Sequence, residues 1–111
     1  MQHQTVTVES LYTDSASSLG LRLMAGAAGL KRIIREPTVN RPGLALAGFT
    51  RYFASKRIQV LGSAETTFLR SLSVGEREER YARLFSYKIP CFVFSRNLTP
   101  DREFLKAAVS R

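Results

Sequence analysis

Apolar and polar positions along the chain follow two periods in alternation. "TVTV" at 5–8 is β-branched and alternates, which predicts a short strand. In 9–20, Leu11, Tyr12, Ala16 and Leu19 recur at helical spacing, and Gly20 stands where a helix ends. "LRLMA" (21–25) predicts a strand, "GAAG" (26–29) a tight loop and "KRIIRE" (31–36) a further strand ended by Pro37. Residues 40–54 predict a turn feeding a helix of small, closely packing apolar residues. "RIQVLG" (57–62) is a strand stopped by Gly62, and Ser63 opens a helix through Leu69 and Leu72. Ser73 and Glu76 have capping-box spacing and start a second helix. On that helix Val74, Tyr81, Leu84 and Phe85 share one face. Glu76/Arg80 and Glu79/Arg83 oppose it as i,i+4 pairs, each worth roughly a few tenths of a kcal/mol. "CFVFS" (91–95) is a continuous apolar run, the pattern of a central strand covered on both faces. Thr99 as capping hydroxyl, Pro100 in the first turn, and Asp101 and Glu103 near the positive end begin a last helix through Phe104, Leu105 and Val109 to Arg111.

Strands and helices in alternation predict an α/β layered domain with a mainly parallel sheet flanked by helices. There are no internal repeats, low-complexity tracts or linkers, so residues 1–111 form one domain. The chain stops on a helix where such a fold calls for another strand. Composition fits this picture: 44% hydrophobic and 23% charged residues suffice for one core. Charge adds to it, since 17 Lys and Arg against 9 Asp and Glu give a net +8. Such a surface suits nucleic acid, anionic lipid or phosphorylated ligands, or serves solubility alone. The single cysteine, Cys91, excludes a disulfide framework and a multi-cysteine zinc site within one chain, and the reading is cytoplasmic. No apolar run approaches the roughly 20 residues of a membrane span. "MQHQTVTVES" lacks the basic head and apolar stretch of a signal peptide.

Candidate chemistry is sparse. "GLALAGFT" (43–50) has the glycine spacing and terminal threonine of a phosphate-binding loop, but Phe49 stands where the lysine belongs. Phenylalanine offers neither charge nor donor, and "LALA" favours helix over a loop wrapped on an anion. Helix packing is therefore expected, with Gly43 in a turn and Gly48 at a close contact. His3 is the one histidine and lies far along the chain from Cys91, so neither a Cys–His pair nor a Ser–His–acid triad is expected. Cys91, between Pro90 and Phe92, reads as a small core residue. Glu76, Glu78 and Glu79 read as a solvated helix face, and Glu9 and Asp14 lack partner ligands, so no metal site is expected. The basic residues carry the functional hint. Arg41, Arg51, Lys56 and Arg57 bracket the 40–54 segment with Tyr52 and Phe53 interleaved, and Lys31, Arg32 and Arg35 form a second group. Stacking on single-stranded nucleic acid is one reading. Aromatic anchors with solvated cations is the other, and it is favoured because no complete nucleic-acid motif is present.

Several blocks in register carry a family resemblance: "VTVESLY" (6–12), "LGLRLMAGAAGLKRII" (19–34), "NRPGLALAGF" (40–49), "YFASKRIQVLG" (52–62) and "YARLFSYKIPCFVFSRNL" (81–98). Together they resemble the N-terminal domain of HPr(Ser) kinase/phosphorylase over nearly the whole chain. The resemblance implies a fold similar to the UDP-binding N-terminal domain of Mur ligases. It also implies an accessory or regulatory place in a bacterial enzyme of phosphotransferase-linked carbon regulation. That enzyme phosphorylates a serine of HPr with ATP and Mg2+, reverses the step by phosphorolysis, and assembles as a hexamer. Its catalytic P-loop domain is C-terminal, so no catalytic residue, cofactor site or metal site carries over to these residues. The implied partners are that kinase domain, HPr and further copies of the chain; nucleic acid and membrane are not expected. The family domain continues with another strand after the last helix, which places residues 1–111 short of it. For a ligand or interface the candidates are Asn40, Arg41, Arg51, Lys56 and Arg57. The alternative is a stand-alone basic module for nucleic acid or an anionic, nucleotide-sugar-like ligand.

Overall fold

A computed structural model describes residues 6–19, 21–36, 38–51, 53–95 and 98–109. Thr5, His3, Gly20, Pro37, Tyr52 and the end of the last helix at Arg111, all singled out above, lie outside the described residues.

The expected α/β layering is present. Strands β3 (Val39–Asn40), β4 (Ile58–Leu61) and β5 (Phe92–Phe94) form a parallel sheet in that spatial order. Helices α2 (Gly43–Leu46), α3 (Ser63–Arg70), α4 (Val74–Phe85) and α5 (Arg102–Val109) flank it. Ahead of them, β1 (Val6–Thr7), α1 (Val8–Leu19) and β2 (Ile33–Ile34) make a small unit in which β1 and β2 pair antiparallel. The core joins Leu46 of α2, Leu61 of β4, Leu69 of α3 and Tyr81 and Leu84 of α4 to Phe104 of α5. Phe104 is an aromatic hub, its ring centroid 5.0 to 5.4 Å from those of Tyr81, Phe85, Phe92 and Phe94.

The central strand is β4, not the 91–95 run, because β5 has a strand neighbour on one side only among the described residues. Burial of Gln59 in β4 is tolerated because its polar atoms are satisfied: Nε2 donates to the carbonyls of Ala54 and Arg57, and Oε1 accepts from Asn40. The strand predicted over 21–25 is not formed. Leu23 and Met24 are exposed, and Gly26, at φ 76°, turns the chain into a 3-10 segment, Ala27–Lys31. That segment consumes Lys31, so the predicted 31–36 strand shortens to β2. The "TVTV" strand also shortens, since Thr7 caps α1: the Ser10 N–H donates to Thr7 Oγ1 and the Thr7 N–H to Ser10 Oγ, each at 3.0 Å.

The α4 capping box forms as expected: the Glu76 N–H donates to Ser73 Oγ, and the Ser73 N–H to Glu76 Oε1. Tyr81 and Leu84 are buried, but Val74, in the first turn of α4, is 49% exposed. The expected Glu76/Arg80 and Glu79/Arg83 pairs do not close to ion-pair distance among the described residues. Glu76 is engaged by its cap, and Arg80 and Arg83 turn toward Gly48. The cap of α5 is Asp101 and not Thr99: Asp101 Oδ1 accepts from the Phe104 N–H at 2.8 Å, while its Oδ2 accepts from the buried Tyr81 hydroxyl.

Candidate functional site

The segment with phosphate-loop spacing folds as a short helix with a defined stop. The Gly48 N–H donates to the Ala45 carbonyl at 3.0 Å and the Phe49 N–H to the Leu44 carbonyl at 2.9 Å. That pair of bonds, with Gly48 at φ 105°, is a Schellman closure. Gly48 thus supplies a left-handed residue for a helix end. Its N–H and that of Phe49 are committed to helix carbonyls, and no lysine stands at position 49. These residues do not fit a nucleotide phosphate. Gly43 has no positive φ and simply opens α2.

The carboxyl ends of β3 and β4 lie side by side, which is where parallel α/β sheets place ligands. Arg41 follows β3, and Gly62 follows β4 into α3. Arg41 Nη2 lies 2.6 Å and Nε 3.2 Å from Glu65 Oε1, and the Gly62 N–H donates to the same oxygen at 2.7 Å. One carboxylate oxygen therefore ties the exit of β3 to the start of α3. Glu65 is 7% exposed while Arg41 is 56% exposed, so the carboxylate is the buried anchor and the guanidinium its outward face. Burial pushes the Glu65 carboxyl up, but the hydrogen bonds from Arg41 and the Gly62 N–H outweigh it and hold the group below its ordinary range. A Cβ on Gly62 would stand 2.7 Å from Arg41 Nη2 and 3.4 Å from Ser95 Oγ, so the guanidinium would have to shift to admit one.

The other expected site residues are dispersed. Asn40 sits at the rim beside Arg41, but its amide is used on Gln59. Arg57 precedes β4 and pairs with Glu36 at 2.9 Å, and exposed Lys56 lies next to it. The register sets Arg41 level with Val60, so Arg57 and Lys56 lie three and four residues back along that strand, about 10–13 Å at the usual rise. Arg51 is exposed on the segment after α2. Glu65, Gly62 and Ser95 were not among the expected residues. The sequence signal for Glu65 is its place three residues after Gly62, the spacing of an N-terminal helix box.

Elsewhere the chemistry is subdued. Burial pushes the Cys91 thiol up to about 11, against a smaller opposing pull from Arg32. The same cause, with Asp101 beside it, raises the Tyr81 phenol. Among the described residues no group of three or more His, Cys, Asp or Glu is placed to hold a metal ion. No helix of the described residues is long and apolar enough to cross a membrane. A cleft of about 810 Å³ separates the amino-terminal unit from β5 and α5, with Leu23, Met24, Phe92, Phe94 and Leu105 among its walls.

The profile of a family described as HPr Serine kinase N terminus matches residues 6–111. The chain is 36% identical over 110 residues to an HPr kinase/phosphorylase of Chloroherpeton thalassium, covering 97% of this chain and 32% of that protein. It is 42% identical over 106 residues to an HPr kinase/phosphorylase of Clostridium perfringens, covering 96% of this chain and 33% of the relative. A Clostridium botulinum HPr kinase/phosphorylase is 49% identical over 70 residues, which is 63% of this chain and 23% of that protein. The chain thus spans about a third of the length of the first two relatives and matches their N-terminal part.

Proposed function

The chain belongs to the HPr Serine kinase N-terminus family, and from that membership we propose that it serves as the accessory, regulatory domain of a bifunctional HPr kinase/phosphorylase. In this reading, ATP- and Mg2+-dependent phosphorylation of HPr on serine, and its phosphorolysis, are performed by a separate P-loop domain. The present residues contribute domain packing, assembly of a hexamer, or sensing of an anionic metabolite in the cytoplasm. The observation that carries the accessory role is the fold of 43–50, where a Schellman closure occupies the amide groups a phosphate would need. The rim supports a contact or sensing role, because Arg41 presents a half-exposed guanidinium held by a buried carboxylate. Asn40 flanks Arg41 at that rim, while Lys56 and Arg57, toward the other end of β4, and Arg51, after α2, would be separate contacts.

A chimera tests this reading. The matching third of the Chloroherpeton thalassium protein is replaced by this chain, and assembly, HPr phosphorylation and dephosphorylation are measured. An assembled, active chimera is expected, with Arg41→Ala/Arg51→Ala altering assembly or regulation but not folding. A folded chimera that neither assembles nor modifies HPr would overturn the reading. The net charge of +8 favours one rival, a stand-alone nucleic-acid module. Such binding falls on the order of a thousandfold over a fourfold rise in salt. Absence of any salt-sensitive DNA or RNA binding removes it.

A further inference from the structure

Helix α2 turns Ala45 and Leu46 into the core and leaves two large apolar side chains outside, Leu44 at 71% and Phe49 at 55% exposure. The Schellman bond from the Phe49 N–H to the Leu44 carbonyl makes these two neighbours in space, and an apolar contact between these positions ordinarily accompanies that closure. Two cations frame the pair. Arg83 Nη1 donates to the Gly48 carbonyl at 3.3 Å, and Arg80 Nη1 lies 3.0 Å from where a Cβ on Gly48 would stand. Arg80 Nε is buried without a hydrogen-bond partner. Among the described residues no carboxylate comes within 4.0 Å of either guanidinium, since Glu76 is engaged on the Ser73 N–H and Glu79 stays beyond that range.

We propose that the face formed by Leu44, Phe49, Arg80 and Arg83 docks an acidic protein segment bearing a bulky apolar side chain. The apolar side chain covers Leu44 and Phe49, and the carboxylates meet the guanidinium groups of Arg80 and Arg83. Charge complementarity selects this occupant. A second copy would bring the same two arginines toward each other on a chain of net charge +8. A nucleic acid would use Phe49 for stacking but gains no stacking face from Leu44, the more exposed of the pair. The proposal is independent of whether a kinase domain accompanies the chain.

The test is fluorescence anisotropy of the chain with two labelled peptides of about a dozen residues. Both are rich in Glu and Asp; one carries a central Leu-Phe pair and the other Ala-Ala. The Leu-Phe peptide is expected to bind at least about tenfold more tightly, a difference within the reach of two buried anchors. Leu44→Ser/Phe49→Ser is expected to erase that difference while leaving the affinity for the Ala-Ala peptide unchanged, because charge is conserved. Arg83→Gln, on an exposed side chain that tolerates the change, is expected to weaken both peptides and flatten their salt dependence. Equal affinity for the two peptides in the unaltered chain would overturn the proposal. So would an unlabelled oligothymidine that binds more tightly than the Leu-Phe peptide and loses affinity on Phe49→Ser.

Discussion

Replacing Glu65 with Ala removes the acceptor shared by the Gly62 N–H and the Arg41 guanidinium. The two donors respond differently. Arg41 is more than half exposed and rehydrates, so its contribution is screened and adds little. The Gly62 N–H is buried and its lost bond is not replaced, which costs about 1–3 kcal/mol. For a domain of this size, about 4 °C in Tm accompanies each kcal/mol, so a fall of about 4–12 °C is expected in far-UV thermal melts. Arg41→Ala keeps the Gly62 bond and is expected to cost less. The pH dependence has a definite sign. The folded-state carboxyl is held below its unfolded value, so its contribution is fully present above the unfolded pKa, about 4.3 for Glu, and is lost as pH falls through the folded value. The stability gap between the unaltered chain and Glu65→Gln is therefore expected to be widest near neutrality and to close in acid. An Ala variant as stable as the parent, or a Gln gap that persists unchanged into acid, would refute the reasoning.

Three further outcomes follow from the same geometry. Gly62→Ala puts a methyl group 2.7 Å from Arg41 Nη2 and is expected to push the guanidinium off Glu65. Because that exposed guanidinium contributes little, the cost should be small, and smaller still in an Arg41→Ala background, a coupling read by a double-mutant cycle in urea. Tyr81→Phe deletes a partly buried hydrogen bond to the Asp101 carboxylate that also caps α5, and is expected to cost about 1.5–3 kcal/mol in urea unfolding. Gly48→Ala forces a side chain into φ 105° against Arg80 and is expected to lose at least about 1–2 kcal/mol, whereas Gly75→Ala, with open space at its Cβ, should not.

What was legible in the sequence was local. The Ser73/Glu76 box lies within one turn, and its partners find each other whatever the rest of the chain does. The β4 strand and the α3 and α4 helices likewise carry their own punctuation at Gly62, Ser63 and Ser73. Sheet order was not legible: the apolar run at 91–95 suggested a central strand, but the centre went to β4, whose buried Gln59 looks polar until its partners are known. Thr7 reads equally as a β-branched strand residue or a helix cap, and the reciprocal bond with Ser10 decides it. The site was half legible for a related reason. Arg41 stands out as a cation beside a glycine turn, but its partner Glu65 is 24 residues away and becomes visible only when β3 and β4 lie in parallel. The resemblance in Gly43–Thr50 to a phosphate loop was resolved by chemistry at one position, Phe49, and the structure adds the use to which Gly48 is put.

Phosphoryl transfer tests the central claim most directly. The purified 111-residue chain is incubated with HPr, Mg2+ and ATP labelled on its terminal phosphate, and the serine of HPr is assayed for label. The expected result is no label above that of ATP and HPr alone, while a full-length relative run in parallel transfers it. Label delivered to the HPr serine by these residues alone would contradict an accessory role.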